Sequence, residues 1–143
     1  MKLRVACLLA TLMAAPALAD ASDDPTVLGS WSFVASTYDG CDFTGIMHLG
    51  SGERPDIHAC ELTARQACPD VTYVVRQTCR AQRSGDQLIV RSQIAEFLEG
   101  EPTPGYWPDN FILTVKTSSR MIGALLSHGS HASEFTRLEE GVS

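Results

Sequence analysis

The residues of this 143-residue chain that could do chemistry are five cysteines, four histidines, scattered carboxylates and one pair of large aromatics. Beyond Cys7, the cysteines Cys41, Cys60, Cys68 and Cys79 are separated by 19, 8 and 11 positions. A zinc site draws on paired C-x-x-C or C/H clusters, and these spacings supply none. His128 and His131 flank the Gly129-Ser130 step with Glu134 close behind, three mixed ligands without a metal-binding spacing. Glu96, Glu99 and Glu101 offer oxygen ligands but lack the spacing of a calcium loop. Ser127-His128 has no G-x-S-x-G elbow, no glycine-rich phosphate loop is present, and no motif places two carboxylates for acid/base work. No catalytic residue, metal or cofactor is therefore expected. Tyr106-Trp107 is different. It sits in the irregular stretch 95–109 among Pro102, Pro104 and Pro108, and large aromatics on a stiffened loop of that length suit contact with a ligand or partner. The chemistry on offer is binding.

The address of the chain comes from its first nineteen residues. Lys2 and Arg4 precede an apolar run over 5–15, and Ala17-Leu18-Ala19 is a small-x-small cleavage site before Asp20, the pattern of a secretory signal peptide. The run is too short to span a bilayer as a helix. Of 11 basic and 17 acidic residues, cleavage removes only Lys2 and Arg4, which leaves 9 against 17, a net charge of −8. That balance excludes a phosphate-binding surface for nucleic acid and a polybasic anchor for anionic lipid. Cleavage also removes Cys7. Four cysteines in an exported domain read as two disulfides, in a periplasmic or extracellular setting. The organisation expected is a signal peptide over 1–19, an N-terminal segment over 20–28 and one domain over 29–140, with no membrane span in the mature chain.

The domain that must position these residues is a meander of strands. Apolar residues alternate with period two through Ser30–Tyr38, Cys41–Leu49, Asp56–Gln66, Val71–Gln82, Asp86–Ile94, Asn110–Lys116, Arg120–Ser127 and Ala132–Leu138. Asp39-Gly40, Pro69-Asp70, Ser84-Gly85, Ser118-Ser119 and Gly129-Ser130 mark the reversals. Helix formers in Cys60–Cys68 make that segment the one helical competitor. Eight short-linked strands hide their edges by closing, so the fold expected is all-β: an eight-stranded up-and-down antiparallel barrel. A hairpin centred on Pro69-Asp70 sets Cys60 opposite Cys79, close enough to bridge, and leaves Cys41 with Cys68 at one end of the barrel. The other two connectivities stay open.

The first strand opens on Leu28-Gly29-Ser30-Trp31, and the last carries Phe135-Thr136-Arg137-Leu138. This G-x-W and terminal Arg resemble the calycin superfamily of lipocalins, fatty-acid-binding proteins and avidins. The resemblance implies that Trp31 is covered by Arg137 where the first and eighth strands meet. It covers 29–138 but not every feature: the chain is shorter than lipocalins, shows no second lipocalin motif and lacks the Trp-rich later strands of avidins. A narrower resemblance, over Leu28 to Leu49, is to secreted bacterial metalloprotease inhibitors, small barrels that insert an N-terminal segment into a protease cleft.

In such a barrel Trp31 and Arg137 sit at one end, and Asp39, Pro69, the 95–109 stretch and Gly129 form a mouth at the other. The expected ligand-binding residues are Tyr106, Trp107, Phe43 and Tyr73, and the expected cargo is a small hydrophobic or amphipathic molecule. The alternative partner is a secreted protease, engaged if the side chains facing inward (Trp31, Phe33, Phe43, Met47, Tyr73, Val75, Leu88, Val90, Phe111, Leu113, Met121, Leu125, Phe135) fill the barrel outright. His48 and His58 are expected to face solvent.

Overall fold

The computed structural model describes residues 24–37 and 39–140, so the expected signal peptide and its expected cleavage site lie outside the described residues. Eight strands follow in order: β1 (Gly29–Ser36), β2 (Asp42–Arg54), β3 (Ile57–Ala67), β4 (Thr72–Ser84), β5 (Gln87–Glu99), β6 (Asn110–Thr117), β7 (Arg120–Leu126) and β8 (Ser130–Arg137). Each pairs antiparallel with the next, and β8 returns to β1 through Trp31↔Arg137, Phe33↔Phe135 and Ala35↔Ser133, closing the barrel. Among the described residues no helix is long and apolar enough to cross a membrane. Both expected disulfides form, Cys41–Cys68 and Cys60–Cys79, and Cys60 lies directly opposite Cys79 in the β3–β4 register.

The strand expected through Cys60 forms and its helical competitor does not, because β2 and β4 pair with it from both sides up to Ala67 and a disulfide ties it to β4. Two strand ends needed correction. β2 runs on to Arg54, its pairing carried past a register shift between Ser51 and Arg54. β5 runs on to Glu99 instead of stopping at Ile94, with shifts opposite Val74/Val75 and Arg76/Gln77. A bulge inserts a residue and breaks the period of two, so the apolar alternation ends before the hydrogen bonding does. The irregular stretch shrinks to 100–109.

The interior is layered. At the end where the chain enters, Trp31, Met47, Leu62, Leu88, Leu113 and Met121 are all fully buried. Above them Phe33, Phe111 and Phe135 pack on one another with centroids 5.0–5.3 Å apart. Gly45 makes room for this ring cluster: a Cβ there would stand 2.3 Å from the Phe33 ring. The entry end is sealed by a single cation. Arg137 lies 4.3 Å from the Trp31 ring centroid and donates to the carbonyls of Thr26 at 2.6 Å, Leu28 and Ser118. The G-x-W glycine follows from that seal, since Gly29 has φ +120° and any Cβ would come within 2.7 Å of Arg137 Nη1. Val27 is buried beneath, accepting from Trp31 Nε1 at 2.9 Å.

Candidate functional site

At the opposite end the strands part. β5 pairs with β6 only over Gln87–Val90 and Phe111–Thr114, so the upper half of β5 has no partner on that side. The connection 100–109 folds into the gap. Gln77, a wholly buried amide on β4, is its anchor: Asp109 N donates to Gln77 Oε1 at 2.9 Å, and Gln77 Nε2 donates to the Asp109 carboxylate. The Tyr106 hydroxyl donates to the same carboxylate oxygen at 2.8 Å, and Ser92 Oγ donates to the Asp109 carbonyl at 2.6 Å. A buried polar group without partners costs free energy, so these bonds together hold the loop in place.

Burial pushes the Asp109 carboxyl up to about 6, against the lowering pull of its bonds to Gln77, Tyr106 and Ser127 and of nearby His128. The Tyr106 hydroxyl is driven well above its ordinary range, by burial first and by the Asp109 charge second. The loop is latched again on its outer side. His128 Nε2 bonds the Gly105 carbonyl at 2.7 Å, and the imidazole lies against the Trp107 ring with centroids 4.3 Å apart. His128 holds φ +51°, a left-handed conformation that a non-glycine residue adopts at some cost.

Between this loop, the β1–β2 turn and the β7–β8 turn lies a cavity of about 480 Å³. Phe43 and Leu125 lie on the core side of it, and Tyr73, Tyr106 and Trp107 wall it, with Thr37, Asp39, Gln66, Ser127, His128 and His131 supplying polar groups. Tyr73, Phe97 and Tyr106 meet edge to face at 5.6–6.2 Å, which stiffens the wall on the β4–β5 side. Cys41–Cys68 ties the first two connections of the mouth together, and Gln66 reaches both of its sulfurs.

The four aromatics singled out in the sequence, Phe43, Tyr73, Tyr106 and Trp107, thus line one cavity. Tyr106 is buried and Trp107 is 55% exposed at the rim. The long inward list is buried throughout except Tyr73, which is half-buried against the cavity. His58 departs from expectation: it is buried near the entry end, where desolvation, with help from Arg83, lowers its pKa. The Glu134 carboxylate points away from the two histidines and pairs with Arg120 on the outer wall at 2.9 Å. Among the described residues no group of His, Cys, Asp and Glu is arranged to hold a metal. Sequence reasoning missed Gln77, Ser92 and Asp109. One signal was there to be found: in the inward series Tyr73, Val75, Gln77, Cys79, Ala81, a single polar side chain interrupts the core.

No protein-family model matches the sequence, and no curated protein matches it. Among solved structures, the chain is similar to a de novo designed fluorescence-activating β-barrel, with 15% identity, a TM-score of 0.53, and 78% of this chain and 93% of that chain covered. It is similar also to a redesigned β-barrel, mFAP1, bound to DFHBI, at 14% identity and a TM-score of 0.56, over 78% of this chain and 94% of that one. A third redesigned barrel, b11L5F_LGL, gives 18% identity and a TM-score of 0.50, over 79% and 91% of the two chains. At these identities the likeness is one of fold.

Proposed function

We propose that this chain is an exported, non-enzymatic binding barrel of calycin type that holds a small apolar or amphipathic molecule in its mouth. The division of the interior carries the reading. A barrel filled from end to end would leave only loops for recognition, whereas here a solid base supports a cavity within the roughly 300–1,000 Å³ range of small-molecule sites. Its apolar walls and polar rim suit a ligand with one greasy and one hydrated end. Gly29, Trp31 and Arg137 support the calycin assignment through their contact at the seam. Two disulfides are in keeping with an oxidising compartment. A barrel neighbour bound to DFHBI illustrates that the architecture can carry a ligand. Among the described residues nothing favours the protease-inhibitor alternative. The described part of the N-terminal segment is tied to the barrel, with Pro25 and Thr26 accepting from Arg83 and Arg137 and Val27 buried.

Titration with Nile red, a neutral apolar dye, tests the proposal. Ser127 borders the cavity, so Ser127→Trp fills it without removing any core side chain, giving up only the bond of Ser127 to Asp109. The expected result is enhanced, blue-shifted dye emission with the native chain and at least tenfold weaker binding to Ser127→Trp, whose far-UV circular dichroism is unchanged. Equal binding to both proteins, or none to the native chain, overturns the proposal.

A further inference from the structure

The connections that form the mouth share a bias of charge. Residues 37–42, 67–72, 99–110 and 126–130 contain Asp39, Asp42, Asp70, Glu99, Glu101 and Asp109 and not one Lys or Arg. The entry end differs, bringing Arg54, Arg120 and Arg137 among its acids. The cation nearest the mouth on β4, Arg76, is already paired with Glu96 at 3.2 Å. Within the cavity lining the bias is sharper still. Among the described residues Asp39 is its one carboxylate, no Lys or Arg contributes, and the other side chains are aromatic, hydroxyl, amide, imidazole and the aliphatic Leu125.

Asp39 is an exposed side chain on a turn, and bonds from Thr37 and from the Cys41 amide hold its carboxyl below the ordinary value, so it stays ionised at neutral pH. Aromatic faces carry negative potential at their centres, and a cation above them gains about 0.5–2 kcal/mol, more as water is excluded. Phe43, Tyr73, Tyr106 and Trp107 line one space. An anionic head group would meet Asp39 and the acidic rim, with only the imidazoles of His128 and His131, and no Lys or Arg, to set against them. We infer that the ligand class of this cavity is a cationic amphiphile, an alkyl or aryl amine or quaternary ammonium whose head lies between the aromatic walls and Asp39 and whose apolar end reaches towards Phe43 and Leu125. This inference rests on the cavity being the binding site.

Calorimetric titration with three twelve-carbon probes, each below its micelle concentration, separates the two ideas. Dodecyltrimethylammonium is expected to bind at least tenfold tighter than dodecanoate, with neutral dodecyl maltoside between them. Asp39→Asn keeps the oxygen that accepts from Cys41 N and removes the charge, and it should cut the preference for the cation at least threefold. Asp39→Glu should restore it. Equal affinities across the three probes, or tighter dodecanoate, overturn the inference and leave the cavity reading standing. Failure of all three to bind overturns both.

Discussion

The two ends of the barrel solve opposite problems with the same eight strands. At the entry end one Arg and one Trp close the sheet over a core of fully buried apolar side chains. At the mouth, β5 and β6 separate, and a ten-residue connection is held in the gap by a buried amide and carboxylate in place of apolar packing. The first arrangement maximises burial. The second accepts a desolvated carboxyl in exchange for one loop geometry and an unfilled space beside it. Stability is thus concentrated at the base, and under the proposed function recognition is left to the mouth, where exposed rim residues such as Trp107 touch little of the core.

The contrast can be broken by mutation. Phe135→Ala should be the costliest, about 3–5 kcal/mol by urea unfolding, because it empties the centre of the aromatic cluster. A loss below about 1 kcal/mol would mean that the base is not the source of stability. Asp109→Asn should act in the other direction. Burial raises the folded-state pKa from 3.8 to about 6, so the fold favours the protonated acid. That contribution is fully present below pH 3.8 and is lost as pH rises through 6. The native chain should therefore lose up to about 3 kcal/mol between pH 4 and 8, and Asp109→Asn should be the more stable protein at pH 8 with no such slope. Parallel pH profiles would contradict the desolvated state of that carboxyl. Arg137→Ala should cost about 2 kcal/mol in thermal unfolding, through the lost ring contact and three abandoned carbonyls. Trp107→Ala, at an exposed rim, should shift stability by less than about 0.5 kcal/mol while weakening Nile red binding, which is the opposite profile to Phe135→Ala. If it destabilises the barrel as a core change does, Trp107 is a cap and not a contact.

The base was legible in the sequence because burial there obeys a simple period. Trp31, Phe33, Leu88, Val90, Phe111, Leu113 and Phe135 alternate strictly, and the turn at Pro69-Asp70 was enough to place Cys60 opposite Cys79. The mouth was legible only in part. Tyr106 and Trp107 stood out by size and by their prolines, yet the partners that fix them are Gln77 and Asp109, 32 residues apart, and no local pattern announces that pairing. His58 was misjudged for a related reason. The extension of β2 past its bulge carries Gly52 under His58, where a Cβ would lie 3.0 Å from the histidine Cα, and periodicity does not register so close an approach. The end of β5 escaped notice because two bulges rephase it. Regular burial can be read from alternation, whereas long-range polar contacts and bulges require the closed barrel.

The division into solid base and receptive mouth is tested most directly by amide chemical-shift mapping of the full barrel with octyl glucoside, a neutral amphiphile, held below its micelle concentration. Shifts confined to residues 37–43, 103–107 and 125–131, with 29–31, 47–49 and 119–121 unmoved, are the expected result. Shifts centred on the entry end or the outer wall, or none at saturating amphiphile, would contradict it.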